Sequence, residues 1–281
     1  MKIRLMRGDD VDFALYCTQV ENWVSSSPEV FRSYLEYDPA GCFIAEVNDQ
    51  AAGICIATRY QNTGFIGELI VILSMRGQGI GSALFKHALN YLSNYHIRVV
   101  YLDGDLPAVP LYEKYGFNKN CLSLRFIGKP VARSNSNVRP AVSEDIKSIV
   151  ALDRRAFGDD RSFFLKRLFT LYPHYCLVSE HNNTITGYIM ARPGQNIITV
   201  GPCVIIDRSI NPELLISGLA AYTGDHILRI GVLEINQPAV SYFRNNNVFQ
   251  EQTPCWRMSW GLKNQTGVVE MLCANGSGAK G

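Results

Sequence analysis

Residues 67 to 89 read GELIVILSMRGQGIGSALFKHAL, and the fold follows from how that stretch divides. The apolar run from Leu69 to Leu73 predicts a buried strand, and the periodic apolar positions from Ile80 onward predict an amphipathic helix. Between them stands the turn Arg76-Gly77-Gln78-Gly79-Ile80-Gly81. Its glycines allow backbone conformations closed to other residues and let a ligand approach the main chain, while successive amides point one way. The helix that follows adds its positive N-terminal end, so the turn is an anion site suited to a pyrophosphate. A glycine-rich turn alone is weak evidence. Here the strand before it and the helix after it are both legible, which makes the signal specific.

Upstream, Ile3 to Met6 reads as a short strand, and Gly8-Asp9-Asp10 caps a helix expected from Val11 to about Val24. Pro28 opens a second helix to about Tyr37. A hairpin of Cys42 to Glu46 and Ala52 to Tyr60 then leads into the opening stretch. Downstream come an apolar strand from Ile97 to Asp103, a short helix from Pro110 ended by Gly116, and a returning strand from Leu122 to Ile127. This order predicts an α/β (α+β) domain with a mixed, mostly antiparallel central sheet flanked by helices, one parallel step joining its two central strands.

Residues 129–137 are polar and aperiodic and read as a linker. The order then repeats. Val138 to Asp145 echoes Ile3 to Asp10, Tyr175 to Ser179 with Thr186 to Arg192 repeats the hairpin, and Ile198 to Ile205 repeats the strand before the turn. Helices from Glu213 and Pro238, and strands from His226 and Arg257, complete the copy. The glycine turn is missing from it, because residues after Val204 read IIDRSINP.

The chain of 281 residues is long enough for two such domains, and its 47% hydrophobic content can fill two cores. A formal net charge of +2 is too small to predict a nucleic-acid partner or an anionic membrane surface. No apolar run approaches the ~18 residues of a membrane span, and MKIRLMRGDDVDF has no signal-peptide core, so a cytoplasmic location is expected. The eight cysteines show no C-x-x-C and read as small buried apolar residues in a reducing compartment. The five histidines show no ligand spacing, and no metal site is expected.

The strand Leu69-Ile70-Val71, the turn from Arg76 to Gly81 and LYEKYGF at 111–117 together resemble the GNAT superfamily of acyl-CoA-dependent N-acyltransferases. The whole chain also resembles a bacterial subgroup with two GNAT domains in tandem. The matching segments are GCF at 41–43, LDGDLPAVPLYEKYGF at 102–117, GYIMARPG at 187–194, VGP at 200–202, RM at 257–258 and GAKG at 278–281. The resemblance implies an N-terminal domain at 1–128 that binds acetyl-CoA and is catalytic, and a degenerate GNAT-like domain at 138–281.

Acyl transfer to an amine needs a held cofactor, a polarised carbonyl, a neutral amine and a proton for the leaving thiolate. The resemblance assigns acetyl-CoA binding to the backbone of Leu69, Ile70 and Val71 and to the turn Arg76, Gly77, Gln78, Gly79, Ile80, Gly81 with Ser82. It puts Asp105 at a position that contacts the cofactor arm, although a carboxylate beside an anion is unfavourable there. Tyr112 matches the tyrosine that protonates the thiolate, with Tyr115 as its packing neighbour. Asp103 and Glu68 are the candidate bases, and Asp103 can instead contact a cationic substrate or cap the next helix.

Glu21 and Trp23 are candidates for the acceptor pocket, and Arg192 for binding a substrate carboxylate. In the second copy Tyr242-Phe243 stands where Leu111-Tyr112 stands, so the proton donor is lost, and Asn247 stands where Gly116 does, a residue the left-handed conformation tolerates. That copy is expected to complete the acceptor pocket and not to bind CoA productively. The expected partners are acetyl-CoA and an amine acceptor, without nucleic acid or membrane, the protein being a monomer or homodimer. Competing readings are a non-catalytic acyl-CoA sensor and a protein lysine or N-terminal acetyltransferase. The tail is expected to form a late strand, Val268 to Cys273, and an ordered GAKG end.

Overall fold

The computed structural model describes residues 1–261, 267–277 and 281. Their contacts divide them into two compact units, one of residues 1–120 with 258–261 and 281, the other of 121–257 with 267–277. A cut after residue 128 therefore differs from the contacts: 121–128 lie with the second unit and 258–261 with the first.

The first unit runs β1 (Lys2–Leu5), α1 (Val11–Val20), α2 (Pro28–Tyr37), β2 (Cys42–Val47), β3 (Gln50–Arg59), β4 (Thr63–Val71), α3 (Ile80–Asn94), β5 (Val99–Asp105) and α4 (Val109–Lys114). The strands lie in the order β1-β2-β3-β4-β5, antiparallel up to β4 and parallel between β4 and β5. Residues 258–261 take the place beside β5. There Gly261, at φ +91°, lies so close to the main chain that a Cβ would stand 1.9 Å from Arg98 O. The core is filled by fully buried Phe31, Tyr34, Phe43, Phe65, Phe85, Ile54 and Leu84.

Helix α1 ends at Val20, short of the expected Val24. Asn22 adopts φ +56°, a left-handed conformation its short polar side chain tolerates, and this turns the chain out of the helix. Glu21 and Trp23 consequently sit in the connection to α2.

The second unit holds β6 (Asn118–Gly128) from Cys121 onward, β7 (Val138–Pro140), α5 (Ile146–Phe157), α6 (Ser162–Leu171), β8 (Cys176–His181), β9 (Thr184–Pro193) and β10 (Ile197–Ile205). It continues with α7 (Glu213–Thr223), β11 (Ile227–Leu233), α8 (Gln237–Asn245), β12 (Phe249–Gly261) up to Arg257, and β13 (Leu272–Ala274). Its strands follow the order β7-β8-β9-β10-β11-β6, again with one parallel step, β10 to β11. Both faces are covered, and side-chain alternation divides them. Leu177, Ile189 and Ala191 join Phe126 and Phe243 in one cluster, while Cys176, Val178, Tyr188 and Met190 join Ile149 and Leu165 in the other.

The repetition extends to single hydrogen bonds. In the first unit Arg4 holds Asp10 at 2.7 Å and also bonds Glu46, while Asp10 accepts the Arg7 amide at 2.7 Å. In the second, Arg139 holds Asp145 at 2.7 Å and also bonds Glu180, while Asp145 accepts the Val142 amide at 2.8 Å. The arginine and aspartate are six residues apart in both. Each guanidinium holds its aspartate below the ordinary carboxylate range. The clasp fixes the first strand against the start of the first helix in each copy, a wider role than the helix cap that the local pattern predicts.

Candidate functional site

Strand β4 leaves β5 early. Only Thr63, Gly64 and Phe65 pair with it, opposite Val99, Val100 and Tyr101, and among the described pairings no strand covers β4 on that side beyond Phe65. On its other side the register with β3 slips, since Ile56 faces Gly67 while Ile54 faces Ile70. The extra residue is a bulge, and within it Glu68 has φ +49° and is 7% exposed. A buried non-glycine residue in that conformation marks a place where the surrounding fold sustains strain. Leu69, Ile70 and Val71 follow the bulge along the parted edge.

The turn completes this opening. Gly77 and Gly79 have φ +78° and +79°, with open space where a Cβ would be, and Gly79 is the residue before α3. Gly81 has ordinary dihedrals and only Val71 Cγ2 within reach, at 3.6 Å. The amide of Ala83 reaches Gly79 O at 3.0 Å, while the amides of Ile80, Gly81 and Ser82 belong to the helix's first turn, where no intrahelical acceptor exists. Arg76 closes the turn from outside, its Nε donating to Val71 O at 2.9 Å and its guanidinium pairing with Glu21. The structure thus brings Glu21 to the glycine turn, tying the α1–α2 connection to it. Trp23 is half-buried in the same connection, its amide on Thr18 O at 2.8 Å.

On the other side of the opening, Asp103 and Asp105 alternate along β5 with buried Leu102 and Gly104, and both are half-exposed. Tyr112 is 8% exposed on α4, and its ring lies on the backbone of β5, where a Cβ at Gly104 would meet its Cε2 at 2.8 Å. Phe85 of α3 packs on the same ring at 5.1 Å between centroids. Gly116, at φ +85°, ends α4 as expected, and a Cβ on it would stand 3.6 Å from the indole of Trp260. No local pattern marks that late tryptophan's place. His87 packs edge-on against Phe43 at 4.7 Å.

Two family profiles match the chain: the Acetyltransferase (GNAT) family over residues 10–117 and the Acetyltransferase (GNAT) domain over residues 149–269. The chain belongs to the GNAT superfamily. Its two GNAT domains stand in tandem, each with a largely antiparallel sheet flanked by helices. Over 96 residues the GNAT chain is 30% identical to N-alpha-acetyltransferase 30 of Dictyostelium discoideum, a match covering 32% of this chain and 52% of that protein. The chain thus spans about half the length of this curated relative. Among solved structures, a putative acetyltransferase from Pyrococcus horikoshii superposes with a TM-score of 0.82 at 22% identity, covering 100% of this chain and 95% of that one. A tandem GNAT protein from the clavulanic acid biosynthesis pathway gives 0.66 at 13% identity, covering 92% and 98%. At these identities the two structures share a fold with this chain.

The second GNAT domain has the same parting of strands, differently filled. Strand β10 pairs with β11 from Ile197 to Val200, and its pairing with β9 slips between Val200 and Cys203, as at the bulge of β4. Beyond the slip, β13 lies against β10, with Cys203 opposite Ala274 and Val204 opposite Leu272. The Asn275 amide then bonds Gly231 O of β11 at 2.8 Å. A segment of the tail occupies the place between the parted strands. The Asn236 side chain holds it by Glu270 O and Leu272 O, at 2.7 and 3.0 Å. Arg192, 4% exposed, donates to Gly276 O at 3.0 Å. Of the expected late strand Val268 to Cys273 only Leu272 and Cys273 are extended, in β13, following a short 3-10 turn, and residues 278–280 of the GAKG end lie outside the described residues.

Two further positions bear on the copy. Phe243, fully buried, stacks on Phe126 at 5.1 Å and has no hydroxyl. Asn247 is not among the described residues with positive φ, contrary to the expected left-handed turn, because Asn246 already leaves the helix extended at φ −100°. All eight cysteines are buried free thiols, and burial pushes Cys17, Cys42 and Cys176 up to about 12. Among the described residues no helix is long and apolar enough to cross a membrane, and no group of three acidic, histidine or cysteine side chains is arranged to hold a metal ion.

Proposed function

We propose that the first unit transfers the acetyl group of acetyl-CoA to a primary amine of a small molecule, by direct attack within a ternary complex. One observation carries this reading: the open glycine turn at the head of α3 adjoins the parted strands β4 and β5, with the Tyr112 ring against the far strand. In this reading the amides of 77–82 receive the pyrophosphate, and the edge of Leu69 to Val71 receives the pantetheine arm and the thioester oxygen. The amine lone pair attacks the thioester carbon, the C–S bond breaks, and the thiolate takes the proton of the Tyr112 hydroxyl. Glu68 or Asp103 takes the proton the new amide sheds. In the same reading Asp105, at the end of β5, lies beside the cofactor's path, and Trp23 lines the acceptor's.

The turn assignment has a direct test. Acetyl-CoA at about 100 times its Kd stabilises a binding protein by about 2.7 kcal/mol, a rise of several degrees in Tm. Gly81→Asp fits the space at residue 81 and adds a negative charge among the amides, so it is expected to fold and to lose the shift. A variant that responds to acetyl-CoA like the wild type would remove the turn from cofactor binding.

The likeness to an N-alpha-acetyltransferase favours a second acceptor, the α-amine of a peptide. Thiol release measured over a panel of small amines and of peptides with free N-termini separates the two. Release with neither leaves an acyl-CoA sensor.

A further inference from the structure

Tyr115 looks from the sequence like a packing residue beside Tyr112, yet its hydroxyl is engaged at the turn. It lies 2.7 Å from Ser82 Oγ and donates to Ser82 O at 3.2 Å. Ser82 is the third residue of α3, so its amide and hydroxyl both belong to the helix's first turn. The Tyr115 main chain, meanwhile, is fixed to Tyr112: the amides of Tyr115 and Phe117 both donate to Tyr112 O, at 3.0 and 3.1 Å. The Tyr115 ring packs on Phe85 at 5.3 Å, the same phenylalanine that packs on Tyr112.

One arrangement of protons uses both short contacts. Ser82 Oγ–H donates to the Tyr115 oxygen, and Tyr115 O–H donates to the Ser82 carbonyl. An anion arriving at the turn offers Ser82 a stronger acceptor. Ser82 then turns its proton to the anion, and Tyr115 turns its own to Ser82 Oγ. The result is a donor chain from Tyr115 through Ser82 to the ligand, in which each bond polarises the next. No heavy atom need move.

We propose that Tyr115 is a positioning residue of the anion site, acting through Ser82. The inference rests on the reading of the glycine turn as a pyrophosphate site and adds to it a residue that touches no ligand. Through Tyr115 the helix carrying Tyr112 and the helix that receives the anion are set by one side chain.

The test is a double-mutant cycle in the full chain, read as the Kd of CoA. Tyr115→Phe keeps the ring on Phe85 and removes only the hydroxyl, and is expected to weaken CoA binding about fivefold, the size of one lost hydrogen bond. Ser82→Ala is expected to cost about as much, and the double variant no more than either single one, because the two act as one chain. Ser82→Thr restores a hydroxyl and most of the affinity. S-acetylpantetheine, which has no pyrophosphate, is expected to react equally well with the wild type and Tyr115→Phe. Additive losses, or an equal loss with S-acetylpantetheine, would overturn the inference while leaving the turn assignment in place. A wild-type protein that binds S-acetylpantetheine and CoA alike overturns the turn assignment and the inference with it.

Discussion

Tyr112→Phe is expected to lower turnover by on the order of 10²-fold or more, with the affinity for acetyl-CoA changed by no more than about twofold. The substitution suits the question because the ring is held by contacts that phenylalanine keeps: the Gly104 backbone beneath it, Phe85 at 5.1 Å and Phe117 at 6.4 Å. Only the hydroxyl is lost. A general acid acts in the transition state and not in binding, so its removal falls on kcat and leaves the Kd of the cofactor in place. Stopped turnover measurements together with CoA binding decide between roles. Unchanged turnover takes Tyr112 out of proton transfer. A parallel loss of CoA affinity makes it a residue that shapes the opening.

The second large effect is expected far from that chemistry. Gly201 has φ +140°, and a Cβ on it would stand 1.7 Å from Asn275 O. The carbonyl cannot easily give way, because its neighbours are fixed. The Asn275 amide is on Gly231 O, its side chain on Ser123 Oγ at 3.2 Å, and the next carbonyl on Arg192. Gly201→Ala therefore combines backbone strain with a collision against an anchored strand, and should destabilise the second unit by about 3 kcal/mol or more. Urea unfolding followed by hydrogen exchange at residues 268–277 measures it, with CoA affinity as the internal control. A loss below about 1 kcal/mol, inside the range of ordinary substitutions, would mean that the tail segment is not held there.

What could be read in the sequence was local. Gly77, Gly79 and Gly116 announce their positive φ values by residue type, and Pro28 its helix start, since each conformation is set by the residue itself. The repeat was legible because the same apolar pattern returns. The positions misjudged were those settled by distant partners. Asn247 matched a local rule, but Asn246 had already turned the chain. The late strand was recognised, but its place was not, since Asn275 meets Ser123 across 152 residues. Arg192, a candidate for a substrate carboxylate by residue type alone, also donates to the backbone of that same tail, a contact no local pattern shows. Nothing in the residues of β4 marks Glu68 for a left-handed bulge, because the slip arises from pairing with β3.

The seating of β13 between β10 and β11 bears on how the protein responds to cofactor concentration. Two open clefts in one chain would permit one occupied domain to alter the other, and would give a binding curve with two phases or a sigmoid. With the second cleft taken by residues of the chain itself, occupancy should follow a single hyperbola ending at one equivalent of acetyl-CoA per chain. Calorimetric titration reads that number directly, and an end point of two would mean that the tail gives way to the cofactor. The response of such a protein to cofactor is graded, because the space between the parted strands of the second copy holds a strand of the chain itself.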